Sequence, residues 1–262
     1  MDTPLSLAVT TRGLRKDFGK IKAVDGLDLE VEAGCFFGFL GPNGAGKSTT
    51  IKILTGLLRP TSGRARILGH DVVDDAVASK QLTGVVSEDG ALFERLTGAE
   101  YLEFVGRMYG MERPVIRERS GELLELMDLA DDQGKLIVDY SHGMRKKVSF
   151  AAALIHNPRV LFLDEPFEGI DAVTSRLIKS ILHQLRRVGV TIFLTSHILE
   201  IVEKLCSEIA IINHGRVVAR GTLDELRTRV GGGGSLEDLF LDLIGRGAGE
   251  DHRLSWLDGD VP

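Results

Sequence analysis

Gly41-Pro42-Asn43-Gly44-Ala45-Gly46-Lys47-Ser48-Thr49, residues 41–49, is the stretch from which the fold of this chain is read. Gly41, Gly46, Lys47 and Ser48 satisfy the P-loop spacing G-x-x-x-x-G-K-[ST] in full. The glycines let the backbone curl so that successive N–H groups converge on phosphate oxygens. Lys47 carries its charge toward the β- and γ-phosphates, and the Ser48 hydroxyl is placed to ligate Mg²⁺. The flanks agree. Cys35-Phe36-Phe37-Gly38-Phe39-Leu40 is an apolar run of strand length, and Ser48 to Leu58 reads as a helix whose N-terminal dipole faces a bound anion. Strand, loop and helix together predict a nucleoside triphosphate site.

The other half of such a site lies at Val160-Leu161-Phe162-Leu163-Asp164-Glu165-Pro166. Four apolar residues predict a buried strand, and two acids emerge at its carboxyl end, where α/β sheets bind their ligands. Asp164 matches the Walker-B aspartate that holds Mg²⁺. Side chains alternate along an extended segment, so Glu165 points elsewhere, toward an attacking water.

Between the two motifs stands Tyr140-Ser141-His142-Gly143-Met144-Arg145-Lys146-Lys147. A serine, a glycine and a basic helix start form a second anion-binding nest. One nucleotide needs one cradle, so a second suggests that two chains share each nucleotide. With these three motifs the chain resembles the nucleotide-binding subunit of an ATP-binding-cassette (ABC) transporter, over roughly residues 5–245. The family signature is commonly Leu-Ser-Gly-Gly-Gln. Ser141 and Gly143 keep its pattern, whereas His142 and Met144 depart from it, in a form similar to the ABC-2-type exporter branch.

The resemblance implies further roles. Phe18, in Lys16-Asp17-Phe18-Gly19, matches the aromatic that stacks on adenine, and Asp171 matches the acid of the loop that crosses the dimer interface. His197, after the apolar run Thr191 to Thr195, matches the histidine that contacts the γ-phosphate and the catalytic glutamate. Ser141 to Met144 would cap the nucleotide of the opposite subunit. The family's loop glutamine is replaced by Glu88, which can ligate Mg²⁺ or its water but donates no hydrogen bond when ionised. Leu92 and Phe93, large apolar residues in the loop beyond it, would line a groove for a short cytoplasmic helix of a separate membrane subunit. The implied mechanism is hydrolysis of Mg²⁺-bound ATP at the interface with a second copy of the chain or a paralogous subunit.

Composition is compatible. The chain has 262 residues, 43% of them hydrophobic, which is enough for a substantial core. Thirty-two basic and 38 acidic residues leave a net charge of −6, which offers no general attraction to nucleic acid. Arg145, Lys146 and Lys147 read as a solvated basic helix face. Cys35 and Cys206 read as buried, reduced thiols rather than a disulfide framework. No apolar run reaches the ~18–20 residues that span a bilayer. With the resemblance, this implies a cytoplasmic location, peripheral at the inner face of the cell membrane through a permease partner.

The expected fold is α/β, a P-loop NTPase with a mainly parallel RecA-like sheet, an antiparallel β subdomain and an inserted helical subdomain. The ATPase domain is assigned to 5–230. Within it, 5–34 form the β-edge, 35–88 and 158–221 the core, and 89–157 the helical subdomain. Strands are expected at Arg64–Gly69, Val160–Asp164, Val190–Thr195 and Glu208–Asn213. Residues 231–262 comprise the Gly231–Gly234 linker and a tail in which Leu236 to Leu241 has amphipathic helical spacing. Other functions compete less well. No Asn-Lys-x-Asp guanine-reading motif is present, and 60–139 is too short for a coiled-coil chromosome ATPase. A cluster-assembly ATPase, also a single cassette, is the alternative.

Overall fold

The protein is described here from a computed structural model in which residues 7–88, 92–229 and 236–245 are placed. The Gly231–Gly234 stretch and most of the tail lie outside the described residues. The chain begins with β1 (Leu7–Phe18), β2 (Ile21–Glu32), β3 (Phe36–Leu40), α1 (Lys47–Leu54), β4 (Ser62–Ile67), β5 (His70–Asp71), α2 (Ala76–Gln81) and β6 (Thr83–Val86). Helices α3 (Gly98–Met108), α4 (Arg113–Leu126) and α5 (His142–Leu154) follow. The last part runs β7 (Val160–Asp164), α6 (Ala172–Arg187), β8 (Thr191–Ser196), α7 (Leu199–Leu205), β9 (Glu208–Asn213), β10 (Arg216–Gly221), α8 (Leu223–Arg229) and α9 (Leu236–Ile244).

Among the described residues two sheets form. One has the order β10-β9-β3-β8-β7-β6 and is parallel except for β10 at its edge. Its central strands are buried on both faces, which is why they read as unbroken apolar runs. The two-residue period still sorts their side chains. Phe37, Phe39, Phe162 and Phe193 enter one core with Ile51, Ile53 and Leu54 of α1, and Phe193 meets the other three rings at 5.2–5.4 Å. Phe36, Leu40, Leu161, Leu163, Ile192 and Leu194 enter the other core, under α5, α6 and α7. Gly38 lets α7 approach, since a Cβ there would lie 2.8 Å from Val202 Cγ1.

The second sheet is antiparallel, in the order β2-β1-β4-β5. It takes two strands from beyond the P-loop helix, so the antiparallel layer draws on 62–71 as well as on the N-terminal stretch 5–34. Helix α1 packs between the two layers. It ends at Leu54, four residues sooner than its sequence suggests, because Gly56 adopts φ 67 and the N–H groups of Leu57 and Leu58 turn back to Lys52 O. Strand β4 stops at Ile67, where Leu68 and Gly69, both at positive φ, make the turn into β5.

The inserted helices are well specified locally. Thr97 and Glu100 form a complete capping box at the start of α3. Leu236 and Leu239 bury the apolar face of α9. Cys35 and Cys206 are both free, and burial pushes the Cys35 thiol up to about 12. No helix among the described residues is long and apolar enough to cross a membrane.

Candidate active site

The P-loop leaves the carboxyl end of β3 and enters α1. Its end glycines have no substitutes. A Cβ on Gly41 would sit 2.4 Å from Ile212 O, and one on Gly46 would sit 2.2 Å from Ala23 O with φ at 109. The loop is pinned from behind, because Ala45 N–H donates to Pro42 O and Ala45 O accepts from Gly215 N–H. Lys47 is buried, and its Nζ donates to Gly41 O at 2.8 Å and Pro42 O at 3.4 Å. The same ammonium lies 3.4 Å from Glu165 Oε1, an ion pair that lacks hydrogen-bond geometry and leaves that buried oxygen without a donor.

A cavity of about 620 Å³ opens over this loop. Pro42, Asn43, Gly44, Gly46, Lys47, Ser48 and Thr49 line it, and so do Glu88, Glu165, Glu168 and His197. Ile21, Lys22 and Ala23 of β2 and His214 of the β9–β10 turn complete the wall. The structure thus brings together most residues singled out in the sequence. Gly41 and Ala45 support the loop from outside the lining. Phe18 stands at the tip of the β1–β2 hairpin, 49% exposed, with Lys16 Nζ 5.2 Å from its ring centre, and it is not part of the wall.

Behind the cavity, the parallel register of β7 and β8 sets Asp164 beside Thr195. Thr195 is fully buried, and its hydroxyl donates to Asp164 Oδ1 at 2.6 Å while accepting Glu165 N–H at 3.1 Å. Glu165 itself sits at φ 45, a left-handed conformation that costs a non-glycine residue about 1 kcal/mol or more. This backbone kink turns its carboxylate, 5% exposed, away from the strand line and toward Lys47 and His197. Glu165 Oε2 accepts from the backbone N–H of His197 at 3.3 Å, and His197 Nδ1 lies 3.1 Å from the same oxygen.

The Ser141 motif opens elsewhere. Ser141 caps α5, accepting Met144 N–H at 3.2 Å. Ser141, His142, Gly143 and Met144 line a separate concavity of about 410 Å³, together with Gly169, Asp171 and Thr174. Asp171 caps α6, taking N–H groups from Val173 at 2.8 Å and Thr174 at 2.9 Å and the Thr174 hydroxyl at 2.7 Å. The bonds from Thr174 hold its carboxyl below the usual aspartate value. A Cβ on Gly143 would meet nothing closer than 3.5 Å, so the fold of one chain does not require glycine there.

One expectation fails. Arg145, Lys146 and Lys147 do not share a solvated face, because successive helix residues are turned by about 100°. Arg145 reaches Glu94 at 3.0 Å, and Lys147 approaches Asp128 at 3.5 Å. Lys146 points inward and is only 6% exposed. Burial lowers its ammonium pKa, and the charges of Glu88, Asp164, Glu168 and Glu165 oppose that shift. Sequence reasoning also passed over Glu168 and Thr195. Glu168 is three residues beyond Glu165 in the turn after the strand, a spacing that could have marked it. Thr195 looked like an ordinary β-branched strand residue.

Residues 24–168 match the ABC transporter family model. The daunorubicin/doxorubicin resistance ATP-binding protein DrrA of Streptomyces peucetius is 42% identical over 231 residues, covering 88% of this chain and 70% of the relative. A solved structure of an ATP-binding subunit of an ABC transporter superposes with a TM-score of 0.85 at 30% identity, covering 90% of this chain and 99% of that one. The dimeric post-hydrolysis structure of an ATP-binding cassette bound to ADP and Pi matches at a TM-score of 0.75 and 25% identity, covering 82% of this chain and 98% of its own. The chain belongs to the ABC transporter family, as an ATP-binding and ATP-hydrolysing subunit.

Proposed function

We propose that this subunit hydrolyses ATP at a head-to-tail dimer interface and thereby powers export through a separate permease. The observation that carries the dimer is the separation of the two anion cradles. Lys47 and the P-loop line one cavity, while Ser141 and Gly143 line another with Asp171. A second cradle that does not face its own nucleotide acquires a use when it covers the nucleotide of a partner. Glycine at 143 keeps the helix start bare beside Asp171 Oδ2 and Thr174 Oγ1, which a Cβ would meet at 3.5 Å, and so suits the close approach of a partner's phosphate. The dimeric relative with ADP and Pi supports this arrangement.

In this reading the triphosphate lies along residues 41–49 and draws Lys47 from Gly41 O and Pro42 O onto its β- and γ-phosphates. Phe18, exposed at the hairpin tip beside the cavity strand β2, stacks on the adenine, a contact worth roughly 1–3 kcal/mol. Glu165 polarises the attacking water and takes its proton, and His197 holds the Glu165 carboxylate in place. Ser48, Asp164 and Glu88 are oxygen donors at or behind the phosphate end of the cavity, and that set fits a hard cation. They would hold Mg²⁺, which neutralises phosphate charge when bound. Catalysis is then mainly positioning and electrostatics.

The daunorubicin/doxorubicin resistance relative supports export over a cluster-assembly role. An exposed apolar surface suits docking of the permease. Phe93, 56% exposed, stands edge-on to Phe104 at 5.0 Å, and exposed Met108 lies one helical turn further along α3. Beside them is a groove of about 430 Å³ whose apolar lining includes Leu57, Val77, Val85, Met108 and Tyr109. Leu92 packs against the core instead, so this surface is shifted from the Leu92–Phe93 pair toward α3. Strand β6 gives Val85 to the groove and leads to Glu88 in the cavity, which links a docked permease helix to the phosphates.

The test is complementation between subunits. Ser141→Arg should abolish hydrolysis while leaving ATP binding to the monomer intact. Mixed with Lys47→Ala subunits, it should recover at most one competent site per heterodimer. Loss of monomer binding in Ser141→Arg would place the second cradle in cis and refute the shared site.

A further inference from the structure

The antiparallel sheet has one face toward α1 and one face outward, and the outward face carries charges that the nucleotide site does not use. Alternation along the strands sorts the side chains. Val9, Ala65 and Ile67 enter the core shared with α1, while Thr10, Arg12, Arg64 and Arg66 come out on the other side. The register of β1 and β4 sets Arg12 opposite Arg64 and Thr10 opposite Arg66. These four residues line a concavity of about 340 Å³. None of them belongs to the nucleotide cavity, to the signature concavity or to the groove beside α3.

Such a pattern is unfavourable by itself. Like charges directly opposite on a sheet repel, and Arg64 and Arg66 are rooted only about 7 Å apart on one strand. A single acid answers the three guanidiniums, because Glu30 on β2 pairs with Arg12. Asp71 stands across from Arg66 in the β4–β5 register, but its Oδ1 accepts the N–H groups of Val73 at 3.0 Å and Asp74 at 3.2 Å. Among the described residues, the side chains of Arg64 and Arg66 have no ion pair and no hydrogen bond. The whole chain carries a net charge of −6, so this concentration of cations runs against its overall balance.

The chemistry of the vacant donors defines what they would take. A guanidinium is always charged, accepts no hydrogen bond and presents its N–H groups as a planar fork that matches phosphoryl oxygens. A carboxylate has two oxygens and fills one fork. A phosphoryl group has three and engages both. We propose that the outward face of the antiparallel sheet is an anion site, in which Arg64 and Arg66, with Arg12 and the Thr10 hydroxyl beside them, bind the phosphoryl group of a multiply charged ligand. The bound anion cancels the repulsion between the facing guanidiniums and thereby strengthens the β1–β4 pairing. It touches neither the P-loop nor Glu165.

The test compares the full chain with Arg64→Thr/Arg66→Thr, since both positions are exposed strand sites that threonine suits. Inorganic pyrophosphate is titrated into each protein by calorimetry. The P-loop is the same in both, so the difference between them belongs to the sheet. The wild type should take up one more equivalent than the variant, with a Kd of about 1 mM or tighter that weakens several-fold as salt rises from ~50 to ~200 mM. Without ligand the variant should melt at the wild-type temperature or above it, because a repulsive pair has gone. Pyrophosphate should then raise the melting temperature of the wild type more than that of the variant. Sedimentation with phosphatidylglycerol vesicles, set against phosphatidylcholine, distinguishes the sources of the phosphoryl group. A difference in pyrophosphate uptake assigns a soluble phosphate, and a difference in sedimentation alone assigns a lipid headgroup. Equal uptake together with equal sedimentation would overturn the proposal. So would a ligand-free variant that melts well below the wild type, because the arginines would then be structural members of the sheet.

Discussion

Replacing Thr195 by Val should be far more damaging than its position in an apolar strand suggests. Valine keeps the shape, so no cavity opens and the effect isolates the hydroxyl. That hydroxyl is fully buried; it donates to the Asp164 carboxylate at 2.6 Å, with Leu163 O a longer acceptor at 3.4 Å, and it accepts Glu165 N–H at 3.1 Å. A hydrogen bond to a charged group contributes roughly 1.5–3 kcal/mol, and an orphaned buried N–H costs about 1–3 kcal/mol. Partial relaxation of Asp164 toward the cavity trims the sum, which leaves about 3–4 kcal/mol. For a domain of this size that lowers Tm by roughly 6–16 °C. The assay is urea unfolding followed by circular dichroism, with the loss read from the midpoint at constant m. Thr195→Ser keeps the hydroxyl and should recover most of the stability. Activity should fall through kcat rather than KM, because Thr195 holds Glu165 in its φ 45 conformation and not the nucleotide. A loss below about 1 kcal/mol, with kcat unchanged, would show that Asp164 and Glu165 are positioned by something other than this hydroxyl.

Further outcomes follow from the same geometry. Glu165→Gln should lower turnover by roughly 10²–10⁴ while preserving ATP binding, and it should accumulate an ATP-bound dimer on size-exclusion chromatography; a wild-type rate would remove Glu165 from the proton-transfer role. Phe93→Asp should leave the fold and ATP binding intact, since the ring is more than half exposed, yet weaken co-purification with the permease; an unfolded variant would make Phe93 core, and unchanged co-purification would place docking elsewhere. His156 stacks on Tyr109 at 3.6 Å, and burial, aided by the charge of Arg119 and opposed by its bond to Thr83 O, holds its pKa below 6.5. Its neutral form is thus favoured in the folded protein, and that contribution is complete above pH 6.5 and lost as pH falls below it. Between pH 7 and 5 the wild type should lose stability more steeply than His156→Gln, and equal slopes would deny His156 any part in that decline.

How much of this site could be read from the sequence depends on how far apart its parts lie along the chain. The P-loop is complete within nine residues, and its backbone constraints are local, so Gly41 and Gly46 declare themselves by spacing alone. Asp164 and Glu165 are similarly marked by the strand that precedes them. Thr195 is different. Its importance comes from the parallel pairing that sets it opposite Asp164, 31 residues away, and no local pattern separates this threonine from its apolar neighbours. The same holds for β4 and β5, whose residues carry no sign that β4 joins β1 across the P-loop helix and β5 joins β4. Lys146 was misread for a different reason. Three consecutive basic residues look like one patch in a line of text, while a helix sends Arg145 to Glu94, Lys146 into the buried interior and Lys147 to Asp128. Motifs therefore identified the chemistry, and tertiary register supplied the groups that hold it in place. The groups that hold the site are the ones most exposed to misreading, because each is an ordinary residue until its partner arrives from another strand.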